Sequence, residues 1–89
     1  ILQLLAYPNP FNMHIRIDYT LPKNGDVKLD IYNASGKWVT TLYQNTGNRD
    51  GQFIWDGLNT RSQPVSSGVY LIHLVHRDQR QVRKILLVK

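Results

Sequence analysis

Alternation of apolar and polar residues with a period of two restricts the folding of this chain more than any other feature. From His14 to Leu21, residues Ile15, Ile17, Tyr19 and Leu21 fall on one side, and His14, Arg16, Asp18 and Thr20 on the other. A strand with one face against a core produces this pattern. Val27, Leu29 and Ile31 repeat it, with Lys28, Asp30 and Tyr32 outward. Between them Pro22 ends one strand and Asn24-Gly25 supplies a turn, so the two strands are expected to pair or to face each other. Asn33-Ala34-Ser35-Gly36 reads as a second turn, and residues 37–43, rich in β-branched and aromatic side chains, as a fourth strand. Residues 44–51 (QNTGNRDG) read as a polar loop, followed by a short apolar run (QFIW) and a stretch dense in turn formers. Residues 69–76 (VYLIHLVH) are apolar on both faces, which suits a central strand covered on both sides. A polar turn at DQR and a last strand in VRKILLVK complete the pattern. With a first strand at about residues 2–7, the chain is expected to form an all-β antiparallel sandwich of about seven strands, with no helix.

With 89 residues, the chain is one domain, residues 1–89, with a modest core and little room for a deep catalytic cleft. The absence of cysteine excludes disulfides and cysteine-based zinc or thiol chemistry. No apolar run approaches the roughly 20 residues of a membrane span, and the opening ILQLLA is too short and lacks the basic flank of a signal peptide. A start at isoleucine reads as a fragment of a longer protein. The net charge of +5 is concentrated near the end, in Arg77, Arg80, Arg83, Lys84 and Lys89. Those charges can keep a hairpin and an edge strand soluble. No basic-aromatic RNA motif or groove-reading helix accompanies them, so nucleic acid is not expected as a partner.

No group of residues converges on catalysis. His73 and His76 are three apart in a predicted strand, which sends them to opposite faces and makes a poor metal pair. His14 lies on the outer face of another strand. Asp56 has too few neighbouring carboxylates for a calcium cage and reads as a turn acceptor for amides two residues on. Trp55 reads as a core anchor, and the Asn33-Ala34-Ser35 sequon coincides with a turn. Trp38 is less routine: if Val39 points inward, Trp38 points outward, where Tyr32 across the turn can flank it. The pair is either cross-strand packing or an exposed contact patch.

Taken in order, YPNPFN, IRIDYTLPKNGDVKLDIYNASGKWVTTL, WDGLN, PVSSGVYLIHL and KILLVK resemble the immunoglobulin-like C-terminal sorting domain of type IX secretion along nearly the whole chain. The immunoglobulin-like domain of the flagellar hook-capping protein is similar over much of the same span. The resemblance implies a non-catalytic, monomeric module without cofactor or metal, at the end of a secreted cargo protein. It implies passage through the periplasm, recognition by an outer-membrane translocon, removal by a sortase-like peptidase, and delivery of the upstream cargo domain to the cell surface or beyond. Matched by position, Gly68, Tyr70, Lys84, Val88 and Lys89 are the residues expected to carry recognition, the terminal strand most of all, through edge backbone groups open to strand addition. Pro8, Asn9, Pro10, Phe11, Trp55, Asp56 and Gly57 are expected to hold the fold. Met13 and Ser62 stand where relatives often carry proline and glycine. The rival reading is a structural or carbohydrate-binding accessory module of a secreted glycoside hydrolase or similar enzyme.

The YPNPFN segment is expected to be a rigid crossing between sheets. Its prolines fix φ and push Tyr7 and Asn9 toward extended backbone. Tyr7 and Phe11 would pin the bend to the core, and Asn9 and Asn12 would satisfy loop backbone groups.

Overall fold

A computed structural model describes residues 1–89. Seven strands form in chain order: β1 (Gln3–Tyr7), β2 (Ile15–Thr20), β3 (Gly25–Asn33), β4 (Trp38–Gly47), β5 (Asp50–Trp55), β6 (Gly68–His76) and β7 (Gln79–Leu87). They make two antiparallel sheets, one ordered β1-β2-β5 and the other β4-β3-β6-β7. This is the antiparallel β-sandwich the alternation predicts, of the immunoglobulin-like kind the resemblance implies, with no helix. Ile15, Ile17, Tyr19 and Leu21 from one sheet meet Val27, Leu29 and Ile31 from the other in a single apolar core. The strands β2 and β3 therefore face each other across the sandwich and do not pair.

The expected polar loop at residues 44–51 is largely strand. β4 runs through Gly47, opposite Gly25, and β5 begins at Asp50, opposite Thr20. Both glycines serve close packing. A Cβ on Gly51 would overlap the ring of Tyr19, and one on Gly47 would lie 2.8 Å from the Tyr19 hydroxyl oxygen. Glycine in a strand marks such an approach as well as a turn.

β6 is internal to its sheet, between β3 and β7, as its composition predicts. It is covered on one side only. Tyr70, Ile72, Leu74 and His76 are buried, whereas Val69, Leu71, His73 and Val75 are half-buried on an outer face with no third layer over it. The β6–β7 hairpin is tighter than DQR suggests: His76 pairs with Gln79 across Arg77-Asp78, and Arg77 takes φ 58°.

The YPNPFN segment does not carry the chain from one sheet to the other. β1 and β2 are neighbours in the same sheet, with Tyr7 opposite Arg16. The linker between them leaves the sheet edge, touches β7 of the opposite sheet through a parallel bridge between Phe11 and Leu87, and returns.

Candidate functional site

The terminal strand and the Pro8–Asn12 linker form one unit. The Asn9 side chain donates from Nδ2 to the Lys84 carbonyl at 3.1 Å and accepts at Oδ1 from the Leu86 amide at 3.0 Å. Two residues on, the Phe11 amide donates to the Leu86 carbonyl (2.9 Å) and the Val88 amide to the Phe11 carbonyl (2.8 Å). An asparagine side chain carries the same donor and acceptor as a peptide group, so Asn9 and Phe11 together act as a short added strand. The Phe11 ring is buried, tilted against Trp55 at 5.8 Å between centroids. Both X–Pro bonds, Tyr7–Pro8 and Asn9–Pro10, are cis. Tyr7 does not join the core: it is 44% exposed, and its hydroxyl donates to Asp18 at 2.7 Å. Of the two asparagines, Asn9 meets the expected role.

This clasp changes what β7 offers to a partner. From Lys84 to Val88 the outward edge is already occupied, so strand addition is confined to the part before Lys84. The Lys89 amide is held as well, donating to Ser67 Oγ at 3.0 Å. Lys84 and Val88 present exposed side chains, and Gly68 opens β6 opposite Leu87. Tyr70 belongs to the core. It stands edge-on to Trp55 at 5.3 Å with its hydroxyl on the Ser66 carbonyl, and burial raises its pKa. Recognition could draw on it only through the fold. Trp55 is buried, donating Nε1–H to the Leu58 carbonyl, and Asp56 accepts from the Leu58 amide, two residues on as expected. Gly57 turns there with φ 74°. Ser62 takes φ 59°, a left-handed conformation that glycine adopts without a Cβ penalty.

A second cluster lies on the outer face of the four-stranded sheet. Trp38 is 53% exposed, opposite Tyr32 in the β3–β4 register, while Val39 packs against the core. Its indole is held in place: Nε1–H donates to Thr41 Oγ1 (3.1 Å), and the Thr41 hydroxyl donates to Asp30 Oδ1 (2.5 Å). Asp30 points outward, as alternation requires, yet is 4% exposed and meets Lys28 Nζ at 3.6 Å. Tyr32 leans on His73, 4.4 Å between ring centroids and inclined by 43°. Burial, and then Arg80, lower the His73 pKa against the opposing pull of Asp30, which keeps the ring neutral at pH 7. His76 faces the other way, buried, with Nδ1 2.8 Å from the Asp26 carbonyl. The two histidines thus diverge, as their spacing predicts.

Sequence reasoning missed the reach of Asn9 to β7 and the burial of Asp30. The prolines flag the linker but not its target, and no local signal marks Asp30.

No curated protein sequence matches the chain. Solved structures share its fold, among them the three that follow. Dimeric latent PorU from Porphyromonas gingivalis aligns with TM-score 0.78 at 16% identity, covering 99% of this chain and 9% of PorU. PorZ, a surface component of the type IX secretion system of the same bacterium, aligns with TM-score 0.67 at 17% identity over 97% of this chain and 11% of PorZ. The hook-capping protein FlgD from Xanthomonas campestris aligns with TM-score 0.63 at 20% identity over 93% of this chain and 60% of FlgD. The chain therefore spans only a small part of the length of PorU or PorZ. The family model for the secretion system C-terminal sorting domain matches residues 5–89, from β1 to beyond the last strand, and includes the clasp and both clusters: this chain belongs to the secretion system C-terminal sorting domain family.

Proposed function

We propose that the chain is the sorting signal of a secreted cargo protein, directing an upstream domain through the outer-membrane type IX translocon to the cell surface, where a sortase-like peptidase removes it. The observation that carries this reading is the family match over residues 5–89. The module contributes a folded shape and a surface, with no bond-making chemistry of its own. Periplasmic transit places it with the secretion machinery before release.

The test is to place residues 1–89 behind a signal peptide and a reporter in a type IX-competent host. Reporter at the cell surface is the expected outcome; reporter retained in the periplasm would refute the reading. Deleting residues 84–89 is a poor probe of recognition. It removes Ile85 and Leu87, each 1% exposed, at a cost of about 1.5–3 kcal/mol apiece, and also strips Asn9 and Phe11 of their partners. Side-chain changes at the exposed Lys84, Val88 and Lys89 separate recognition from folding. If these positions carry recognition, the triple alanine variant melts like the parent and loses surface export.

A further inference from the structure

The outer face of the four-stranded sheet is apolar at its centre. Tyr32, Leu71, His73 and Val82 occupy adjacent positions across β3, β6 and β7 in the observed register, with Val82 39% and Leu86 38% exposed. Trp38 stands at one corner. An exposed tryptophan ordinarily keeps its rotamer freedom, but here the Thr41 hydroxyl and the buried Asp30 fix the indole before anything binds. Preorganised aromatic anchors of this kind dominate protein interfaces, because little side-chain entropy is left to lose. Arg80 and Lys84 rim the face and have no acidic partner within the chain, whose ion pairs are Arg16–Asp18 and Lys28–Asp30.

We infer that this face is the docking surface through which the module engages the secretion machinery, and that its partner presents carboxylates around an apolar patch. The inference rests on the sorting reading and adds the surface and the partner's chemistry to it. Charge selects the partner: a second copy would bring the same unpaired cations and a net charge of +5. Size agrees. Four strands about 4.8 Å apart and seven residues rising about 3.3 Å each give a footprint of roughly 300 Å² between backbone axes. That is well short of the roughly 800 Å² per partner of a stable complex, and suits a contact that forms and releases. A glycan fits less well. The indole N–H is already engaged by Thr41, and Tyr32 is tilted onto His73.

The experiment uses the same reporter fusion in a type IX-competent host. Three variants are compared: Trp38→Ala, the double charge reversal Arg80→Glu with Lys84→Glu, and Ile54→Glu on the opposite sheet as the control. A photo-crosslinking residue is placed in turn at Leu71 and at Ile54. The expected result is at least a tenfold fall in the rate of surface export for the first two variants, with melting temperatures within a few degrees of the parent and Ile54→Glu unaffected. The Leu71 position should crosslink to a component of the secretion machinery, and the Ile54 position should not. If the unmodified fusion is not exported, the sorting reading itself fails. If it is exported and both face variants are exported equally well, the docking surface is wrong and the sorting reading stands. A Leu71 crosslink to a second copy or to the cargo domain would overturn the inference, as would Trp38→Ala losing affinity for a polysaccharide panel while export continues.

Discussion

The two outer faces of the sandwich are built on opposite plans. On the β1-β2-β5 sheet, polar side chains satisfy one another: Tyr7 donates to Asp18, Arg16 pairs with Asp18 at 2.9 Å, and Thr20 donates to Asp50. The exposed Leu5 and Ile54 lie scattered among these groups. On the β4-β3-β6-β7 sheet Asp30 is buried, Asp26 at the start of β3 is exposed and accepts from the Thr46 hydroxyl, Arg80 and Lys84 are unpaired, and aliphatic and aromatic groups occupy the middle. The first face is complete in water. The second keeps its polar chemistry beneath the surface to hold an aromatic in place, and leaves its apolar area uncovered. Exposure of single apolar residues is ordinary, whereas a contiguous patch with a fixed aromatic indicates a contact surface.

Removing one acid from each face tests this contrast, and the larger effect belongs to the four-stranded sheet. Asp30→Ala leaves the half-buried Thr41 hydroxyl without its acceptor. Because Lys28 is 44% exposed and can hydrate, the expected loss is about 1–2 kcal/mol, in the lower part of the range for an orphaned buried group, measured by urea unfolding. Trp38 fluorescence anisotropy should fall in the same variant as the indole loses its latch. Asp18→Ala removes an open-surface pair and should cost below about 1 kcal/mol. Equal losses in the two variants would erase the distinction between the faces.

Acid should separate the faces by the pH at which each loses stability. The His73 pKa in the folded chain lies below its ordinary 6.5, chiefly through burial, so the unfolded chain takes up the proton first. The contribution of His73 is full above pH 6.5 and declines as pH falls below it. Asp18 is held below 3.8, chiefly by its hydrogen bond from Arg16, so its contribution persists until pH falls through that region. Melting temperature followed from pH 7 to 5 should therefore drop slightly in the parent and less in His73→Gln, with Asp18→Ala parallel to the parent over that interval. The smallest effect is expected at Ser62, in the loop between β5 and β6. Ser62→Gly relieves a left-handed serine at the cost of a freer unfolded chain, and should raise stability by less than about 1 kcal/mol in thermal melts.

What could be read from the sequence was what is decided by immediate neighbours. Alternation fixed which side of β2 and β3 faces the core, because successive side chains must point to opposite faces. The same rule placed Trp38 outward once Val39 was inward. Gly47 and Gly51 misled because a glycine among polar residues reads as a turn, and the ring that requires them belongs to Tyr19, distant in sequence. Asn9 could be seen to need a backbone partner, but not to find it in a strand 75 residues away. Alternation also put Asp30 on the outside without showing that Thr41 and its neighbours bury it. The two clusters were thus visible as residues, Trp38 with Tyr32 and the terminal lysines, but their arrangement depends on pairing across the chain.

The clasp also acts on the order of events. Joining Asn9 to Leu86 closes a loop across 77 residues, and the entropy of that closure alone is about 4 kcal/mol. Strands β2 to β6 can gather first through their shorter connections, while Asn9 and Phe11 wait for residues 84–88. A polypeptide whose residues 84–88 have not yet emerged gives Phe11 no strand to bridge and leaves its ring in water. The clasp therefore seats only when residues 84–88 are available to it, and the covered edge of β7 exists only in a chain in which Asn9 and Phe11 have docked.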